Sequence, residues 1–190
     1  MIKYDYALTD FPNDAAEVGR LTNEILNSNI TTTLTNVSVE DKCYIFFDTT
    51  LSGPEQTTLD GIVTTHSGTS YNTATSFGAQ SETVDSTTST AYTQKIRLEL
   101  NDILGGDFIV FWSASVKCDH AQTNIKARIQ KNDTDILSET EWHPAETGYG
   151  PLSGFVELTL SAGDHYFDFD YCSTSSGKSV SIRKTRLLAI

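Results

Sequence analysis

The sequence predicts a small α+β piece followed by an all-β antiparallel sandwich of jelly-roll-like type. Three observations carry that prediction. In the run 108–116, Phe108, Val110, Trp112, Ala114 and Val116 share one face at the two-residue period of a half-buried strand. Similar runs recur from residue 83 onward at the spacing of a sandwich, with Gly, Asn, Asp and Ser between them. Apolar residues at helical spacing occur only before residue 70. The chain therefore divides into an α+β anchor or assembly domain (1–70), a linker (71–82) and a β-sandwich domain (83–190).

In the first domain, Ile2 to Leu8 alternates as a short strand until Phe11-Pro12-Asn13-Asp14 breaks the pattern. Asn13 or Asp14 is expected to cap a helix starting at Ala15, with Val18, Leu21, Ile25 and Leu26 as its apolar stripe. Ile30 to Val39 is Thr-rich and β-branched, and Cys43 to Phe47 is apolar enough to lie centrally in a sheet. Ser52-Gly53-Pro54-Glu55 reads as a capping box with Pro in the first turn, opening a helix whose stripe is Leu59, Ile62 and Val63. The order is β-α-β-β-α. His66 at that helix end is read as a cap for the last carbonyls rather than a catalytic partner of Asp60.

The stretch Thr69 to Glu82 is poor in charge and rich in Thr and Ser, as a flexible connection is. Beyond it, Ala91 to Leu100 places Ile96, Leu98 and Leu100 inward with Lys95, Arg97 and Glu99 outward. The 108–116 run is the central strand. Its second face begins apolar (Ile109, Phe111) and ends polar (Ser113, Ser115, Lys117), so the strand is expected to start between two layers and finish facing water. Asn124 to Lys131 places Ile125, Ala127 and Ile129 inward; Thr134 to Trp142 is a weaker strand, and His143 to Gly154 is a loop. Strands then follow at Phe155–Leu160, His165–Cys172 and Val180–Ile190.

Lys and Arg number 13 against 25 Asp and Glu, a net charge of −12, which disfavours nucleic acid and anionic membranes as partners. The first 70 residues hold three basic and ten acidic side chains, so the acidity is denser there. It serves solubility, or it meets a basic partner. No charged-then-apolar leader and no membrane-length apolar run is seen, so a soluble chain made without an export signal is expected. Cys43, Cys118 and Cys172 form no C-x-x-C pair; Cys118 and Cys172 could meet across strands, but buried reduced thiols are the preferred reading.

No catalytic signature, cofactor-binding loop or metal-ligand spacing stands out, so no enzyme activity, cofactor or metal is expected. Asp168 and Asp170 share a strand face, and a solvated outer face is preferred there to a calcium site. Glu139, Glu141 and His143 are read in the same way as edge-strand charge. Trp142, His143 and Tyr149 flank the long loop, where they plug one end of the sandwich or, on the alternative reading, stack on a glycan. The apolar Leu187-Leu188-Ala189-Ile190 and the stripe Leu59, Ile62 and Val63 are candidates for an assembly interface.

The stretches 86–98, 106–114 (GDFIVFWSA), 158–165 (LTLSAGDH) and 180–187 (VSIRKTRL), with 58–68 in the first domain, resemble the β-sandwich domains of tailed-bacteriophage virion proteins. The resemblance implies a non-enzymatic virion component, commonly a homotrimer, made in the host cytoplasm. A capsid decoration (cement) protein bound to the major capsid protein or another virion protein is the first expectation. A fibre or baseplate component recognising a host glycan is the alternative. The short chain, without shaft repeat or heptads, favours the first.

Overall fold

A computed structural model describes residues 1–120, 123–143 and 148–190, and the chain divides into two units, Met1–Tyr71 and Asn72–Ile190. The first contains β1 (Ile2–Ala7), α1 (Val18–Leu26), β2 (Leu34–Val39), β3 (Lys42–Phe47) and α2 (Gly53–Thr65), with the strands antiparallel in the order β1-β3-β2. The apolar Cys43, Ile45 and Phe47 make β3 central and pack with Leu21 and Ile25 of α1 and Leu59 and Val63 of α2. Leu21 and Ile25 of the first stripe and Leu59 and Val63 of the second are thereby used within the unit, while Val18 and Leu26 are exposed.

Helix α1 starts three residues later than expected. Asn13 and Asp14 have φ of 61° and 54°, the left-handed region, so neither adopts the extended backbone of a cap. Glu17 caps instead, accepting the Arg20 N–H at 2.5 Å.

In the second unit, β4 (Phe77–Ser81), β5 (Asp85–Thr87), β7 (Gly106–Cys118), β10 (Gly150–Leu160) and β12 (Val180–Ala189) make one antiparallel sheet, ordered β10-β7-β12-β4 with β5 also on β12. β6 (Thr93–Ile103), β8 (Ile125–Lys131), β9 (Asp135–Trp142) and β11 (Gly163–Ser173) make the second, ordered β6-β11-β8-β9. This is a two-layer, jelly-roll-like sandwich. Val110, Trp112, Val116 and Leu187 from one sheet meet Leu98, Ile129, Phe167 and Phe169 from the other in a single core. Each such burial contributes about 1.5–3 kcal/mol.

Four expectations are corrected here. The 71–82 stretch is not simply a linker, because β4 lies within it and pairs Phe77–Ser81 with Ala189–Thr185 of β12. The 143–154 loop is shorter than expected, since Gly150 to Gly154 already pair with β7 from Val116 to Trp112. Lys95 turns inward, where its ammonium is held by Asp85 at 2.5 Å and the Thr83 carbonyl at 3.0 Å. Lastly, β12 carries a bulge between Arg183 and Arg186, with Lys184 at φ 50°. The extra residue switches the alternation, so Leu187 and Ala189 point into the core while Arg186, Leu188 and Ile190 point out.

Candidate functional site

The feature with most to offer a partner is the outer face of the five-stranded sheet. Register builds it: Phe155 of β10 lies opposite Phe111 of β7, which lies opposite Leu188 of β12. Ile190 exchanges two backbone hydrogen bonds with Ile109, at 2.9 and 3.1 Å, which adds a second apolar row. Phe111 is 38% exposed, Phe155 59%, Leu188 41% and Ile190 46%. The Phe111 and Phe155 rings sit 6.0 Å apart, tilted by 39°. A shallow depression of about 480 Å³ lies over them, floored in part by Gly154. That glycine is needed because the Trp112 indole lies where its Cβ would be. The expectation that β7 starts between two layers is therefore half met, since one layer comes from this chain and the other side faces solvent.

Opposite charges border the face. Asp107, which accepts from the Thr159 hydroxyl at 2.7 Å, and Glu157 lie at one end. Arg186, Arg183 and Lys117 lie at the other, with Arg186 holding Glu82 at 2.6 Å and Lys117 holding Asp119 at 3.0 Å.

Of the residues singled out as an assembly interface, only Leu188 and Ile190 reach this surface. Leu187 and Ala189 are buried in the sandwich core, and Leu59 and Val63 in the core of the first unit. Ile62 packs against that core as well. A side chain already committed to its own core has no free face for a partner, so the four buried residues are corrected, while Ile62 is half-buried. The proposed glycan contacts are similarly occupied. Trp142 packs against the sandwich core and covers Gly150, and the Tyr149 ring is stacked by the Arg183 guanidinium at 3.7 Å. His143 is exposed, and residues 144–147 lie outside the described residues.

The opposite face of the sandwich is polar and satisfied by its own partners. Arg97 grips Asp168 with Nε and Nη2, at 2.8 and 2.7 Å, and stacks on Tyr166 at 3.9 Å. Arg128 donates to Asp170 at 2.9 Å and stacks on Tyr92 at 4.2 Å. Both aspartates are buried, which corrects the solvated reading. Desolvation raises the Asp170 carboxyl above its ordinary range, with Arg128 opposing the rise. Glu139 accepts from Tyr92 at 2.7 Å and Glu141 from Asn124 at 2.6 Å. Among the described residues no group of three His, Cys, Asp or Glu is arranged to hold a metal ion. The three cysteines are free and buried; desolvation pushes Cys43 and Cys118 up to about 11, which keeps them as thiols.

His66 does more than cap α2. It is fully buried, donates from Nδ1 to Glu24 at 2.7 Å and accepts the Glu17 N–H on Nε2 at 2.9 Å. The accepting Nε2 assigns the proton to Nδ1, and the ring is a neutral brace between α1 and α2.

These features define the class: a two-layer antiparallel sandwich joined in sequence to a small α+β unit. No family model matches the sequence, and no curated protein matches it. Among solved structures the chain is similar to Eiger TNF from S. frugiperda, at 14% identity and a TM-score of 0.36 over 60% of this chain and 89% of that one. It is similar to the C-terminal CBM6 of LamC from Zobellia galactanivorans, at 14% identity and a TM-score of 0.30 over 59% and 98%. It is also similar to dimeric latent PorU from Porphyromonas gingivalis, at 9% identity and a TM-score of 0.44, covering 98% of this chain but 23% of that one.

Proposed function

We propose that this chain is a non-enzymatic structural protein of a tailed-bacteriophage virion, a capsid decoration protein that binds and stabilises the shell as a homotrimer. One observation carries its working by protein contact: the exposed Phe111, Phe155, Leu188 and Ile190 gather on one sheet face, while Arg97–Asp168 and Arg128–Asp170 are paired within the chain on the other. The sequence resemblance supplies the virion. The dense acidity of residues 1–70 supports a docking role toward a basic shell surface.

The test is quantitative mass spectrometry of purified virions produced by the strain that encodes the chain. The expected result is a copy number comparable with that of the major shell protein. A few copies per particle would favour a fibre or baseplate role, and complete absence would end the virion reading.

A further inference from the structure

We infer that a depression on the outer face of the four-stranded sheet is a binding site for a neutral sugar ring. The inference goes beyond the virion reading and does not depend on it. The depression measures about 340 Å³, and Thr90, Tyr92, Lys126, Glu139, Glu141 and Cys172 are among its lining residues. It is distinct from the Trp142, His143 and Tyr149 end of the sandwich. Register fixes its floor: Cys172 of β11 lies opposite Lys126 of β8, which lies opposite Glu141 of β9. Glu139 is two residues along β9, on the same face. Three hydrogen-bonded strands therefore set the spacing of the polar groups.

Each of these groups has bonding capacity to spare. Among the described residues, Glu139 accepts the Tyr92 hydroxyl on Oε2 and Glu141 accepts the Asn124 amide on Oε1. Each carboxylate is thus aimed through one oxygen and offers the other. The Lys126 ammonium is 3.8 Å from Glu139 Oε1, beyond hydrogen-bond reach, and its side chain is 39% exposed, so its donors are left for a ligand. The Arg128 guanidinium stacks on one side of the Tyr92 ring at 4.2 Å but does not line the depression, which leaves the other side of the ring to it.

These groups select the ligand by its chemistry. Two carboxylates beside one ammonium, on a chain of net charge −12, repel phosphates and carboxylates. The ammonium opposes a cation, and no group of three His, Cys, Asp or Glu among the described residues is arranged to hold a metal ion. A purely apolar ligand would cover three charged groups without pairing them. The ligand must then be neutral, donate to the glutamates, accept from Lys126 and lay an apolar side on Tyr92. Neighbouring hydroxyls of a pyranose donate and accept at once, and its C–H face suits the negative face of an aromatic ring.

The experiment titrates the isotope-labelled full chain with the methyl glycosides of glucose, galactose, mannose and N-acetylglucosamine, read by amide chemical shifts. The expected result is saturable binding of at least one, with a dissociation constant on the order of 1 mM. The shifts should centre on Tyr92, Lys126, Glu141 and Thr174. Glu141→Gln and Lys126→Ala should each weaken that binding at least ~10-fold, the worth of one hydrogen bond to a charged group. Both side chains reach solvent, so an amide spectrum unchanged outside the site shows that the variants fold. Methyl glucuronide should bind more weakly than the neutral glycosides. No saturable binding of any of the four up to roughly 50 mM, far above that constant, would overturn the inference. So would shifts centred elsewhere, binding indifferent to both variants, or a glucuronide that binds as tightly as the neutral rings.

Discussion

Several single residues in this protein have roles that type alone does not reveal. Trp112 is buried at the centre of β7, and Gly154 on β10 leaves room for its indole. Trp112→Ala should cost about 3–5 kcal/mol, the range for emptying a buried aromatic site. Gly154→Ala should cost about 1–3 kcal/mol by overpacking the same place. Denaturant unfolding of both variants checks this. Because the two changes act on one contact, their double variant should be less destabilised than the sum.

Glu55 is a hub of the first unit. Its carboxylate accepts N–H groups from Ser52, Thr31 and Thr32 at 2.9, 2.9 and 3.0 Å, and the Ser52 hydroxyl at 2.7 Å. Those donors hold its pKa well below the usual carboxylate range. A group depressed in the folded state adds stability above its unfolded pKa, and that stability is lost as pH falls toward the folded pKa. Asp170 has the opposite sign: its raised pKa gives a contribution present at low pH and lost as pH rises through it. Acid should therefore weaken the first unit through Glu55, and Glu55→Gln should flatten that response. Melting of residues 1–71 between pH 6 and pH 3, roughly the span of carboxylate titration, reads it.

At the scale of elements, the strand that looked least like one is the clearest test. Phe77-Gly78-Ala79-Gln80-Ser81 has little β propensity, and its strand character comes from pairing with β12. The expected result is slow amide hydrogen exchange over the amides that face β12, against fast exchange in Thr73–Ser76. Uniformly fast exchange across 73–81 would restore the linker. Most elements were legible because alternation and caps are local signals. The two helices, the central β3, β7 and the Ile125–Lys131 strand follow directly from them. The site was legible only in part. Phe111 and Ile109 announced a strand with two apolar faces, but the sequence does not show that one face stays open. Leu188 and Ile190 face outward because of the bulge at Arg183–Arg186, and a one-residue switch of alternation leaves no mark in composition. The burial of Asp168 and Asp170 was hidden for a related reason. Their partners Arg97 and Arg128 lie 71 and 42 residues away in sequence.

For the whole molecule, the two units differ in what they can contribute. The sandwich of 72–190 closes a continuous core between two sheets, whereas 1–71 builds its core from one three-stranded sheet and two helices. The larger unit should fold when expressed alone, and the smaller should be the less stable of the two. The acidity is concentrated in the smaller unit, whose first 70 residues carry a charge of −7 out of the chain's −12. That unit also exposes Val18 and Leu26 beside Leu34 in a groove of about 240 Å³, an apolar centre for an otherwise charged surface. If it is the part that docks on a basic shell, binding to particles lacking the protein should weaken steeply from low to moderate salt, because surface charge attraction is screened over about 10 Å at 0.1 M ionic strength. The fragment 72–190 should fail to co-sediment with those particles, while Leu26→Asp in the full chain should weaken binding without changing the melting of the sandwich. A fragment that decorates particles as well as the full chain does would move docking from the acidic unit to the sandwich.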